Sequence, residues 1–118
     1  MIVIQVRRVG GRPTGFSVSG HAGCGPRGSD IVCAAVSALT DTTVLALERL
    51  AGVEARVEAG NGRLSADLPD HLAPAAQERA ELLVEAMLLG LEEIARAYPG
   101  RLKLRDPRDK RGGNHVPV

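Results

Sequence analysis

The segment from Ser29 to Ala51 is the feature that most constrains how this chain of 118 residues can fold. Its only charged residues are Asp30, Asp41, Glu48 and Arg49. Ser29 is predicted to be the N-cap of a helix, and Gly52 is predicted to be its C-cap. A helix that is apolar nearly all round has to be covered on more than one side. We therefore expect this helix to be buried between a sheet and either a second helix or another subunit.

Alternation of apolar and polar residues on both sides of this helix predicts five strands. The alternating segments cover residues 2–7, 16–19, 53–59, 63–68 and 102–104. Gly60-Asn61-Gly62 predicts a hairpin turn, because glycine and asparagine accept positive φ angles. An apolar stripe at helical spacing predicts a second helix, which begins near Pro74 and is stopped by Pro99-Gly100. The predicted order is ββαββαβ, an α+β fold with a five-stranded sheet and two helices, the first of them buried.

The length and the charge distribution predict a single domain at residues 1–105 and a disordered basic tail at 106–118. Residues 1–29 carry a net charge of +4, residues 30–99 carry −7, and residues 100–118 carry +4. The basic ends fit either contact with RNA on a ribosome or solvated strand edges and a frayed terminus. The chain has 2% aromatic residues, so it lacks the stacking platforms of single-strand binders.

Three features predict a cytoplasmic protein with reduced thiols and no membrane contact. No uncharged apolar run approaches the roughly 20 residues of a membrane span. The first residues alternate like a strand and do not resemble a signal peptide. The chain has only two cysteines, which argues against a secreted scaffold stapled by disulfides.

The residues that could carry chemistry lie between Gly20 and Leu39. Residues 20–28 hold four glycines and a proline, which predicts a loop, and this loop contains His21 and Cys24. Cys33 lies four residues beyond the predicted N-cap, where the helix dipole favours a thiolate. A thiol and an imidazole on separate elements are the components of a cysteine hydrolase. From spacing alone, an inert cysteine packed on an alanine-rich helix is the competing interpretation.

One long motif distinguishes the two interpretations. It consists of Gly20-His21-Ala22, a gap of five residues, Gly28, one further residue, and the run Asp30-Ile31-Val32-Cys33-Ala34-Ala35-Val36-Ser37-Ala38-Leu39. This motif resembles the signature of the ribosomal-processing cysteine protease family, Prp. The length and the order of elements over residues 1 to about 105 also resemble that family.

The resemblance implies a cytoplasmic, homodimeric cysteine endopeptidase that associates with ribosome maturation. Its substrate would be the N-terminal extension of the twenty-seventh protein of the bacterial large ribosomal subunit. His21 would be the general base and Cys33 the nucleophile, with no cofactor and no metal. The loop that closes over the peptide would contain Gly20, Ala22, Gly23, Gly25 and Gly28.

Two further residues match family positions with open roles. Asp30 would orient His21 or hold the loop, or it would only complement the helix dipole. Ser37 would hydrogen-bond near the site, or its hydroxyl would only bond back to the carbonyl of Val32 or Cys33. N–H groups at the helix start would hold the oxyanion. The peptide cleft is expected to be apolar.

Other classes of function fit the sequence less well. A zinc site of His21, Cys24, Cys33 and Asp30 has suitable atoms but matches no closed zinc motif. A redox protein is disfavoured because the sequence has no C-x-x-C. A non-catalytic module that binds the ribosome or RNA would explain the basic ends without using Cys33. Cys24 is interpreted as a spare loop thiol or as an oxidation partner of Cys33.

Overall fold

The computed structural model describes residues 1–20 and 27–108, and the side chains of residues 27–30 lie outside this description. The elements are β1 (Ile2–Val9), β2 (Arg12–Ser19), α1 (Arg27–Ala51), β3 (Arg56–Gly60), β4 (Arg63–Asp67), α2 (Pro74–Ala97) and β5 (Leu102–Arg105). This order confirms the predicted ββαββαβ arrangement and the α+β class.

The strands form one mixed sheet in the order β3-β4-β2-β1-β5. The neighbours β3/β4, β4/β2 and β2/β1 are antiparallel, and β5 pairs in parallel with β1. Parallel neighbours need a long crossover, which here contains α2. The turn Asn61-Gly62 has φ angles of 50° and 72°, as expected for a two-residue hairpin loop.

Two strands differ from their predicted extents. β2 begins at Arg12 rather than near Phe16, because a register shift between Arg7 and Arg8 accommodates Pro13 opposite β1. β3 begins at Arg56 rather than Val53. Val53 is instead buried directly after α1, where its apolar side chain completes the core.

Both helices contribute to one core with the sheet. Val32, Val36 and Leu47 of α1 share this core with Ile2 and Ile4 of β1. From α2 the core includes Ala80, Val84, Met87, Leu88 and Leu91. The expected burial of α1 is therefore correct for its inward face only, since Ile31, Leu45 and Leu50 are exposed.

The predicted start of α1 is wrong by two residues. The helix begins at Arg27, so Ser29 lies inside it and is not the N-cap. Pro26 immediately precedes this start in the sequence, and proline is a helix-start signal that the assignment to Ser29 overlooked. The other end is as predicted. Gly52 has a φ of 68°, and the N–H of Val53 donates to the carbonyl of Leu47 at 2.8 Å, which satisfies a carbonyl in the last turn of the helix.

By length and composition alone, Ile31–Ala51 is apolar enough to cross a membrane. The same test is passed by core helices of globular proteins. The inward residues of this helix belong to the core, and its charged residues interrupt the apolar run.

A buried ionic cluster ties the end of β5 to the rest of the fold. Arg8 donates to Asp106 at 2.6 Å and 2.9 Å, and to Glu85 of α2 at 2.8 Å. The side chains of Arg8 and Asp106 are 3% and 0% exposed. The sequence predicted that Asp106 belongs to the disordered tail. Because Asp106 is buried and paired with Arg8, the fold extends at least to this residue. Residues 109–118 of the predicted tail lie outside the described residues.

The cluster lowers the pKa of both carboxyls. For Glu85 the main cause is the hydrogen bonding from Arg8. Burial acts to raise the pKa of Asp106, but the hydrogen bonds from Arg8 and from the N–H of Arg108, with both guanidinium charges, outweigh it. A lowered native pKa stabilises the fold above the ordinary pKa, and this stabilisation is lost as the pH falls through the native value.

We expect the free energy of unfolding to fall as the pH drops below about 4.5, the ordinary value for Glu85. Asp106→Asn removes the buried countercharge of Arg8 and should cost about 3 kcal/mol at pH 7. The variant should also make the free energy of unfolding depend less on pH. This is measured by urea unfolding between pH 3 and pH 7, at intervals of about 1 pH unit. Glu93→Gln breaks only the exposed pair with Arg96 and serves as the control. Equal effects of the two variants would contradict this role of Asp106.

Candidate active site

A groove of about 310 Å³ lies between the first half of α1 and the helix-facing side of the sheet. One wall is formed by α1, and the other by the β3–β4 hairpin with the ends of β1 and β2. The residues that line it are Ile2, Val18, Gly20, Cys33, Val36, Ser37, Thr40, Asp41, Ala59, Gly62, Arg63 and Leu64. The lining is apolar at Ile2, Val18, Val36 and Leu64 and polar at the remaining α1 positions, which partly matches the expected apolar cleft.

Cys33, Ser37 and Asp41 form a polar row along the groove wall of α1. They are spaced four residues apart, so they lie on one face of the helix. Cys33 is half-buried, and Ser37 and Asp41 are exposed. Cys33 is a free thiol. The row therefore places a nucleophilic atom and two polar side chains along one wall.

The position of Cys33 is fixed by its neighbours. Val32 and Val36 are 0% and 2% exposed and belong to the core, against which Cys33 also packs. Thr40 is buried, and its hydroxyl donates to the carbonyl of Val36 at 3.0 Å. The burial of Val32 and Val36 anchors this part of the helix wall to the core beside the thiol.

Cys33 lies further into the helix than the sequence predicted. Since α1 begins at Arg27, Cys33 is its seventh residue and lies in the second turn. The dipole effect is strongest in the first turn, and the free N–H groups belong to the first four residues. Oxyanion donors at the helix start would therefore come from residues 27–30, about one turn before the thiol.

The structure describes the predicted site residues unequally. Cys33 and Ser37 line the groove, and Gly20 ends β2 at its edge. Within the described residues, the Ser37 hydroxyl makes no bond to the carbonyl of Val32 or Cys33, which leaves it available to the groove. Gly28 is part of α1 rather than of the predicted loop.

The remaining site predictions lie outside the described residues. These are His21, Ala22, Gly23, Cys24 and Gly25, together with the side chain of Asp30. The structure therefore does not test the imidazole partner of Cys33, the proposed loop or the zinc alternative. Among the residues that it does describe, no group of three or more His, Cys, Asp or Glu is placed to hold a metal.

Sequence reasoning missed the other half of the groove. Ala59, Gly62, Arg63 and Leu64 come from the β3–β4 hairpin, which lies far from the motif in the chain. Only the strand pairing brings this hairpin opposite α1. Asp41 was also missed, although its spacing of eight residues from Cys33 is a signal that the sequence contains.

Comparison with known proteins gives consistent results. The family model described as cysteine protease Prp matches residues 1–103. A protein of Bacillus subtilis (strain 168) named ribosomal processing cysteine protease Prp is 37% identical over 91 residues, which cover 75% of this chain and 81% of that protein.

Solved structures have the same fold. SMU.848 from Streptococcus mutans matches with a TM-score of 0.74 and 34% identity, covering 89% of this chain and 92% of that one. The essential ribosomal processing protease Prp from S. aureus has been solved with a substrate peptide and with a covalently linked product peptide. These two structures match with TM-scores of 0.78 and 0.77 and identities of 26% and 27%, each covering 89% of this chain and 98% of the other.

Gly20 is required where β2 ends at the groove. Its φ is 89°, and a Cβ atom there would clash with the carbonyl oxygen of Met1. Gly20→Ala should therefore cost about 2–3 kcal/mol in the free energy of unfolding. Gly10→Ala is the control, because Gly10 has a φ of 60° with nothing within 4 Å of the added atom. It should cost about 1 kcal/mol, and equal costs in urea unfolding would show that the Met1 contact does not matter.

Proposed function

We propose, because this chain belongs to the Prp family of cysteine proteases, that Cys33 and His21 are its catalytic dyad. The family match and the named relatives establish the class of enzyme, a cysteine protease. The observation that carries the dyad is the position of Cys33, a free thiol on the helix wall of a groove. His21 matches the family motif in the sequence.

The proposed reaction proceeds through an acyl-enzyme. The Cys33 thiolate attacks the scissile carbonyl carbon, and the imidazolium of His21 gives a proton to the leaving amine as the peptide bond breaks. Water then attacks the thioester with His21 as the base, which releases the carboxylate product and the free thiol. The covalently linked product peptide of the S. aureus relative supports a covalent route.

Supporting roles follow from the start of α1. The free N–H groups of residues 27–30 are the proposed oxyanion donors. Asp30, in the same turn, is proposed to orient His21. Ser37 faces the groove one turn after Cys33 and is proposed to hydrogen-bond the peptide backbone.

The proposed substrate is the N-terminal extension of the twenty-seventh protein of the large ribosomal subunit. The name of the Bacillus subtilis relative supports a ribosomal substrate. An extended peptide fits the groove, whose apolar lining from Ile2, Val18 and Leu64 suits apolar side chains. We place the enzyme in the cytoplasm, in association with the ribosome, because this substrate is made and assembled there.

A homodimer is part of the same proposal. On the outer side of the helix pair, Leu45, Leu82 and Leu89 are 46%, 69% and 65% exposed. Between the helices runs a groove that is lined mostly by apolar side chains, among them Leu39 and Leu83, together with Thr42 and Thr43. A second copy of the chain is the occupant that would cover the outer side of α1, as the apolar character of that helix predicts.

The dyad is tested by peptide cleavage. Wild type should cut a peptide spanning the ribosomal extension once, and Cys33→Ala and His21→Ala should each lower kcat/KM by at least about 10³-fold. Products are identified by mass spectrometry. Cys24→Ala is the matched control and should retain activity, because the mechanism uses only one of the two cysteines. Cleavage by Cys33→Ala at the wild-type rate would overturn the assignment.

The proposed dimer surface is tested by placing charged side chains on it. Leu82→Glu combined with Leu89→Glu places two carboxylates on the outer face of α2 and should convert the protein to monomer in analytical ultracentrifugation at micromolar concentration. Val9→Glu alters a side chain that is equally exposed but lies at the end of β1, and it should leave the dimer intact. A monomeric wild type, or a dimeric double variant, would contradict this surface.

A further inference from the structure

Asp41 has no structural role among the described residues that would explain its position. It lies in the middle of α1, far from either helix end, and no lysine or arginine occupies the positions three or four residues away. It is exposed and lines the groove. Among the residues that the structure describes, no salt bridge or hydrogen bond involves its carboxylate.

Asp41 is also the only carboxylate among the described residues that line the groove with Cys33. The wall opposite includes Ala59 and Gly62, whose small size leaves room for a long side chain. Arg63 lines the same groove, but among the described residues it forms no salt bridge or hydrogen bond with Asp41. Within the described part of the chain, the negative charge of Asp41 is therefore left available to a bound ligand.

We infer that Asp41 is a specificity residue that selects a lysine or arginine side chain of the substrate peptide. Eight residues of helix separate it from Cys33, a rise of about 12 Å. An extended peptide advances about 3.3–3.6 Å per residue, so the selected side chain lies three or four residues from the scissile bond. This inference rests on the proposed cleavage at Cys33.

The direction of selection follows from charge. Asp41 attracts a cation, tolerates a neutral side chain of the same length and repels a carboxylate. Because the carboxylate is exposed, the attraction is that of a solvated ion pair, worth about three- to fivefold in affinity or in kcat/KM. Ser37, between Cys33 and Asp41, faces the intervening residues of the peptide.

The test uses the full chain and synthetic peptides that span the ribosomal extension and its cut. Lysine, norleucine or glutamate is placed in turn at the third and fourth residues on each side of the cut. At one of these positions, wild type should prefer lysine over norleucine by about three- to fivefold in kcat/KM. Asp41→Asn should abolish this preference, and Asp41→Lys should reverse it in favour of glutamate. This exchange of charges is a double-mutant cycle.

Glu48→Gln is the matched control, because it removes one negative charge from α1 outside the groove. It should leave the ratio between lysine and norleucine peptides unchanged. A preference for lysine that Glu48→Gln and Asp41→Asn weaken equally would reflect net charge and would overturn the inference.

Binding to Cys33→Ala, measured by fluorescence anisotropy with the same peptides, separates this inference from the proposed reaction. A preference for lysine in Kd that depends on Asp41 supports its role as a specificity residue even where wild type cuts no peptide. In that case the absence of cleavage contradicts only the proposed reaction. If wild type cuts the peptides but its preference for lysine does not depend on Asp41 at any of the four positions, only the inference about Asp41 is overturned.

Discussion

The burial of the inward face of α1 in the core that it shares with the sheet and with α2 determines the rest of this structure. Val32 and Val36 share one core with Ile2 and Ile4, so the helix has a fixed rotation about its own axis. This rotation turns Cys33, Ser37 and Asp41 toward the β3–β4 hairpin. The groove is thus a consequence of core packing, in which a dense interior orients the side chains at its edge.

Local sequence signals predicted most of the fold because they act over few residues. The turn Asn61-Gly62 and the cap at Gly52 need positive φ angles. Glycine and asparagine are the residue types that accept such angles, so the sequence predicts both features. The start of α1 was misplaced because Ser29 offered a competing cap signal close to the true start. The pairing of Arg8 with Asp106 spans 98 residues, and no local pattern contains it.

The sequence predicted only the wall of the groove that α1 forms and not the opposite wall. The motif identified Cys33 and Ser37 because the motif and the groove wall of α1 are contiguous in the chain. The hairpin wall contributes through strand pairing, which depends on the whole topology of the sheet. Asp41 was not singled out from the sequence, and only the groove shows that it lies on the same wall as Cys33.

The groove draws its lining from two populations of side chains. Ile2 and Val36 also belong to the core, whereas Ser37 and Asp41 are exposed, and their side chains make no hydrogen bond or salt bridge to any residue that the structure describes. A change of the first kind would disturb folding together with the proposed peptide binding, since cores tolerate little change in volume. A change of the second kind would alter recognition at little thermodynamic cost. Evolution of new cleavage preferences in this scaffold therefore has its easiest route along the polar row of α1, while the apolar floor stays constrained.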